Sequence, residues 1–193
     1  GVVGSDRWSA YSFLSLRSRQ ICWGHLKREF QAFVDRGGES APLGKALLEQ
    51  VDLMFDCWYR VRDGTLARST FKVYIAPVRG RVRELLRQGQ ECAHPQTAST
   101  CREILKVEPA LWTFVRKAGV EPTNNAAERA LRHGVLWRKS SFGTQSEAGS
   151  RFVERMMTVV ATLRQQKRNV LDYLTAACEA HLRGEMAPSL LPH

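Results

Sequence analysis

A mainly α-helical fold, with strands confined to the beginning of the chain, follows from three features of the sequence. Segments 43–62 and 69–88 repeat apolar residues at spacings of three and four, the period of a helix that buries one face. Helix-start and helix-stop residues bracket the later segments: Ser146 and Asn169 stand before periodic runs, and Gly64 and Gly184 stand after them. Only Gly1–Ser5 and Arg19–Trp23 read as strands.

The strand candidate Gly1–Ser5 delivers Asp6 at its end, and residues 7–11 continue into a turn or short helix. Arg19–Trp23 leads into a helix over His25–Val34. Val34–Pro42, with Gly37, Gly38 and Pro42, reads as a loop. The helix over Leu43–Arg62 sets Leu47, Val51, Met54, Trp58 and Val61 on one seam. The next, Ser69–Gln88, sets Phe71, Ile75, Val78, Val82, Leu85 and Leu86 on one side, and Pro77 inside it predicts a kink or split. Gly89–Thr97 reads as a loop, followed by shorter helices over Ala98–Val107 and Pro109–Lys117. Gly119 and Pro122 punctuate the approach to a helix that starts near Asn125. After a loop over Ser140–Ser146, a helix over Ala148–Gln166 is predicted to bury Phe152, Met156, Val159, Val160 and Leu163. Asn169 caps the last helix, to Arg183, with Val170, Leu171, Leu174, Ala177 and Cys178 inward. The tail to His193 reads as loose. Four parts result: 1–34, a helical block over 35–118, 119–168, and 169–193.

Hydrophobic residues make up 44% of the chain and charged residues 25%, a globular composition and not a disordered one. No apolar run reaches the length of a membrane span, and no signal peptide leads, which predicts a cytoplasmic protein. Five scattered cysteines argue against a secreted disulfide framework. The 29 Lys and Arg against 19 Asp and Glu give +10 and favour a polyanionic partner, nucleic acid first. The excess concentrates in Thr123–Arg168, where nine basic residues against three acidic ones give +6. Salt-sensitive DNA binding is expected of that segment.

The segment opens with Thr123-Asn124-Asn125-Ala126-Ala127-Glu128-Arg129-Ala130-Leu131-Arg132 and continues from Trp137 to Gly149. Asn125 and Glu128 have the spacing of a capping box, and alanines at 126, 127 and 130 favour helix. Two readings of Glu128 are open on pattern alone. It is a cap that complements the helix dipole, or a metal ligand projecting into a basic, phosphate-binding surface.

These runs resemble the C-terminal catalytic segment of bacterial insertion-sequence transposases of the IS sixty-six type, enzymes with an Asp-Asp-Glu active site. The resemblance implies that Glu128 is the third catalytic acid. Ser5-Asp6-Arg7-Trp8-Ser9-Ala10-Tyr11 resembles the surroundings of the second, which makes Asp6 its counterpart. Cys22-Trp23-Gly24-His25-Leu26-Lys27-Arg28 resembles the family's Cys-x-x-His-x-x-Arg run, with Gly24 where most members carry Ala. The implied fold is the C-terminal portion of a ribonuclease-H-like α/β catalytic domain with a large helical insertion, its N-terminal strands absent from this chain. The implied cofactor is Mg²⁺, with Mn²⁺ able to substitute, held by Asp6 and Glu128. The implied partner is double-stranded DNA at transposon ends, in a nucleoid-associated, homo-oligomeric parent enzyme. Arg28, Arg129, Arg132, Arg138 and Lys139 are assigned to DNA phosphates and Trp137 to base stacking, with Cys22, His25 and Asn125 in support. Only five residues precede Asp6 and none is acidic, so the first catalytic Asp is expected to lie in a longer parent protein. The chain by itself is expected to be inactive; the alternative is a remnant that binds DNA or self-associates.

Two other chemistries are weaker. Cys22 and His25 with Cys92 and His94 lack the regular spacing of a structural zinc site. His25 to Arg28, with Tyr59 as nucleophile, matches a tyrosine recombinase only over a short element.

Overall fold

Residues 1–191 are described by a computed structural model, and they are mainly helical. Strand β1, Val3–Ser5, pairs in parallel with β2, Arg19–Ile21, in the register Val3↔Arg19, Gly4↔Gln20 and Ser5↔Ile21. A parallel pair needs a crossover of about a dozen residues; here it contains short 3₁₀ turns at Ser9–Tyr11 and Leu16–Ser18. The helices are α1 Trp23–Arg36, α2 Ser40–Arg62, α3 Arg68–Gly89, α4 Pro95–Lys106, α5 Glu108–Leu111, α6 Thr113–Arg116, α7 Asn125–Ser141, α8 Glu147–Gln165 and α9 Val170–Arg183. The chain divides into two compact units, Gly1–Asn125 and Ala126 onward.

The prolines fall inside helices more often than the sequence suggests. Pro42 lies in the first turn of α2, and Pro95 is the first residue of α4, so the predicted loops are shorter. The first N–H groups of a helix have no intrahelical acceptor, and proline gives up nothing there. α3 runs unbroken through Pro77. The carbonyl that Pro77 cannot satisfy belongs to Val73, an exposed residue, where water can replace the lost bond. The predicted helix over 109–117 is divided at Trp112 into α5 and α6.

In the first unit, α1 packs on α2, α2 on α3 and α3 on α4. The seams on α2 and α3 are buried as predicted, from Leu47 to Trp58 and from Phe71 to Leu86, with Val61 half-buried. An aromatic cluster closes the core: Trp23 and Trp112 rings are 4.8 Å apart, and Trp58 meets Phe114 edge-on at 5.3 Å. All five cysteines are free thiols. Burial pushes Cys101 up to about 12, which makes it inert.

Two features of this unit yield predictions. Gly44 lets α2 approach α1: a Cβ there would lie 2.7 Å from Phe30 O and 2.8 Å from Val34 N. Backbone atoms cannot rotate away, so Gly44→Ala is expected to cost about 1–3 kcal/mol, measured as a lower urea midpoint. The second feature is Glu108, a buried carboxylate held by Arg79 at 3.0 Å and Arg83 at 2.9 Å. Burial pushes its carboxyl up, but the hydrogen bonds and charges of the two arginines outweigh that and hold it below the usual glutamate range. A carboxyl depressed in the folded state adds stability above its unfolded pKa of about 4.3, and that stability is lost as pH falls through the folded value. Glu108→Gln is therefore expected to cost about 1–3 kcal/mol at neutral pH. Because both arginines are half-exposed, the loss should stay below that of a fully buried pair. Below about pH 4.3 the parent should lose its advantage. Urea midpoints of both proteins that fall in parallel with pH would place the titration elsewhere.

In the second unit the caps match the sequence. Ser146 Oγ accepts from Gly149 N at 3.1 Å, and Asn169 Oδ1 accepts from Leu171 N at 2.9 Å. The predicted buried faces hold in part: Met156, Val159, Val160, Val170, Leu174 and Ala177 are half-buried. Phe152 is 64% and Leu171 71% exposed, Cys178 is exposed, and among the described residues of α8 and α9 only Leu163 and Ala180 are fully inside. Helical period identifies one apolar side but not whether a neighbour covers it. The tail is not loose as far as Leu190. Tyr173 Oη donates to Pro188 O at 2.8 Å, Arg168 to Ser189 O at 3.0 Å, and Gln166 to Leu190 O at 2.8 Å. The last two positions of that predicted tail lie outside the described residues.

Candidate active site

Asp6 is positioned by backbone bonding around a very short sheet. Cys22 N donates to Ser5 O at 2.8 Å, which extends the β1–β2 ladder to the residue before Asp6. Arg19, on β2 and buried, donates through Nη2 to Ser5 Oγ and to Asp6 O, both at 3.3 Å. Arg7 pairs with Glu29 of α1 at 2.6 Å and ties the next residue down. The half-exposed Asp6 carboxylate accepts the Trp8 N–H at Oδ1, 3.0 Å. It therefore forms the expected kind of turn and still keeps lone pairs for a ligand.

The Thr-Asn-Asn run reaches the same end of the sheet. Trp23 N donates to Pro122 O at 3.0 Å, and Asn124 N donates to Cys22 Sγ at 3.5 Å. A Cβ on Gly4 would lie 3.8 Å from Asn124 Cβ. A Cβ on Gly24 would lie 3.6 Å from Asn125 Oδ1, an ordinary contact, so the alanine common in the family would fit. Asn124 and Asn125 thus stand beside β1 and the first turn of α1, more than a hundred residues away in sequence. Asn125 is the first residue of α7, and Glu128 lies in that helix's first turn.

Cys22 is buried and serves as a sulfur acceptor for this junction. His25 is half-buried in the first turn of α1, and Arg28 is exposed on the same helix. On α7 the assigned DNA-binding residues are exposed, but they do not share one face. At about 100° per residue, Arg129, Arg132 and Lys139 fall within an arc of about 80°, whereas Arg138 is displaced by about 100° from Lys139 and Trp137 by about 160°. Tyr59 lies on α2, stacked on Phe55 at 5.8 Å and covered by Arg62, and reads as surface packing. Sequence reasoning missed Arg19 and Glu29, and read Asn124 only as part of the helix-start run. A three-residue strand is too short for alternation to show which side chains turn inward.

Asp6 and Glu128 offer the hard oxygen ligands that Mg²⁺ prefers. Among the described residues no three His, Cys, Asp or Glu side chains gather to hold a metal ion. The two carboxylates fit such an ion in ligand kind. No helix among the described residues is long and apolar enough to cross a membrane.

The family described as "Transposase IS66 family" matches residues 1–152. An uncharacterized protein, y4qI, of Sinorhizobium fredii is 24% identical over 192 residues, covering 91% of this chain and 35% of its own length. The chain thus spans about a third of the length of that curated relative. No solved structure matches. The match takes in the Asp6 strand, the Cys22–Arg28 run and the Glu128 helix together, and by it this chain belongs to the IS66 family of transposases.

Proposed function

We propose that this chain supplies two of the three catalytic acids, Asp6 and Glu128, of an Asp-Asp-Glu transposase with a ribonuclease-H-like catalytic domain. One observation supports the reading: Asn124, in the Thr-Asn-Asn run that leads to Glu128, stands beside β1, the strand that ends in Asp6, although a whole helical block intervenes in sequence. The complete enzyme cuts and joins transposon ends by phosphodiester hydrolysis and transesterification. Mg²⁺ or Mn²⁺, when bound, supplies charge neutralisation at the attacking and leaving oxygens. The chain's own residues do the rest. Arg19 and the Arg7–Glu29 pair hold Asp6 in place, while Arg28, Arg129, Arg132, Arg138 and Lys139 hold DNA phosphates. Trp137 offers a stacking face for a base.

Ligand count separates the complete enzyme from this chain. Two carboxylates cannot share two divalent ions as three do, so the 193 residues alone are expected to bind DNA without cutting it. The check is a nicking assay with Mn²⁺ and matched ends on this chain and on the complete protein. Cleavage only by the complete protein is the expected result. Robust cleavage by this chain alone would remove the ligand-count argument. A complete protein that binds ends and never cuts them would point to the remnant reading.

A further inference from the structure

The strongest unassigned feature is the charge on α3. Its 22 residues carry six basic side chains and one acid, six minus one, or +5. Helix α7, to which the DNA contacts are assigned, has four against one, or +3. On α3 the charges are sorted. Arg81 and Glu84 pair at 2.9 Å, an ordinary solvated arrangement. Arg68, Lys72, Arg79, Arg83 and Arg87 fall on one stripe about 100° wide that contains no acid. Arg68 is already used, donating to the Phe114 carbonyl at 2.6 Å, but the other end of the stripe is open.

There, Arg83 and Arg87 line an open groove of about 520 Å³ with Gln90, Lys106 and Glu108. Glu108 is 9% exposed and grips Arg79 and Arg83 at once. One carboxylate cannot neutralise two guanidinium groups, and each arginine has five donors, so both keep charge and N–H groups to offer outward. Solubility does not require a buried carboxylate beneath surface arginines; holding the arginines in fixed positions does. Arg87 makes no side-chain bond among the described residues, and Lys106 has only an exposed pair with Glu103, which contributes little. Arg116 stands beside them, donating to Pro109 O at 2.8 Å. Its guanidinium is pushed below the ordinary arginine value, first by burial and then by the like charge of Arg79 and Arg17. Positive charge is therefore concentrated here and only partly compensated.

We infer that the Arg79–Arg83–Arg87 row of α3, with Lys106 and Arg116, is a further DNA-backbone surface, on the helical block. The row advances about 6 Å per four residues, or about 12 Å in all. Over that length one DNA strand presents three to four phosphates at about 3.4 Å of axis each. The surface reads no base sequence; its part is to hold duplex that extends beyond the reacting end. The inference rests on the reading that the chain works on DNA.

The test is duplex affinity against salt for the 193-residue chain, using a short duplex of unrelated sequence. Arg83→Gln with Arg87→Gln and Lys106→Gln is expected to lower the slope of log K against log salt by about 2–3, at roughly 0.9 per phosphate contact. Arg83→Lys with Arg87→Lys should retain the slope, since charge and not shape is read. Lys45→Gln with Arg60→Gln on α2 should also leave it unchanged. A cooperative melting transition, lowered only as the lost Arg83–Glu108 pair requires, shows that the triple variant is folded. If the parent binds duplex and the triple variant keeps its full slope, this inference falls while the DNA reading stands. If the parent shows no salt-dependent binding, both fall. If polyglutamate of equal charge competes as well as duplex, the surface is for acidic protein and the inference is wrong.

Discussion

Glu128→Gln, or Asp6→Asn, is expected to lower Mg²⁺-dependent cleavage of transposon ends by the complete protein by more than about 10²-fold. Outer-shell partners of a metal ligand already cost about 10–100-fold when removed, and a direct ligand should cost more. Both substitutions keep size and remove only the charge. Asn at position 6 keeps the oxygen that accepts the Trp8 N–H, so the turn after β1 should survive. Gln at position 128 keeps a good helix former in the first turn of α7. Duplex affinity and melting temperature should therefore stay near the parent's while cleavage disappears. End cleavage, binding and melting measured on the same preparations decide the matter. Cleavage within a few fold of the parent for Glu128→Gln would return Glu128 to the capping role.

The largest effect on folding is expected from Gln20→Leu. Gln20 sits on β2, fully buried, and its amide makes three bonds at once. Nε2 donates to Ile21 O at 2.7 Å and to Leu111 O at 2.9 Å, and Oε1 accepts from Phe114 N at 2.8 Å. Trp23 Nε1 also donates to Leu111 O at 2.8 Å. These bonds clamp the α5–α6 corner to the strand that pairs with β1. Leucine fits the volume but leaves the Phe114 N–H and one lone pair of Leu111 buried without partners. At about 1–3 kcal/mol for each buried group left unsatisfied, the loss is about 2–5 kcal/mol, a large part of the 5–15 kcal/mol that holds a typical domain. The expected readout is a clear drop in urea midpoint. Because β2 sets the position of β1, the complete protein carrying Gln20→Leu should also cut more slowly under conditions where it remains folded. A midpoint within about 0.5 kcal/mol of the parent would mean that water reaches and satisfies the freed groups.

The difference between these two predictions marks what local sequence can convey. Glu128 and Asp6 stand in long runs of residues within the stretch that the family matches, so the order of amino acids is enough to propose them. Gln20 has no such run: a glutamine in a strand candidate looks like a solvent-facing residue until α5 and α6 arrive from ninety residues downstream. The same holds for Arg19, whose guanidinium bonds Ser5 and Asp6, and for Glu108, which reads as an ordinary helix-start acid until Arg79 and Arg83 close over it. Pro42 and Pro95 mislead in the opposite direction, because a proline is tolerated in a first helical turn, where the bond it removes is already absent.

The sequence by itself determined the helical class, the apolar seams of α2 and α3, the caps at Ser146 and Asn169, and the motif that the family match bears out. Those are properties of neighbours along the chain, fixed by helical period, capping chemistry and residue identity. Tertiary structure alone decided which apolar faces are covered, how closely α1 and α2 approach at Gly44, and that Asn124 lies beside the strand ending in Asp6 and Asn125 beside the first turn of α1. It also decided that Arg79 and Arg83 of α3 close over a buried carboxylate, Glu108. These depend on which distant segments meet, and periodicity records only that a face is apolar or charged, not what stands opposite it.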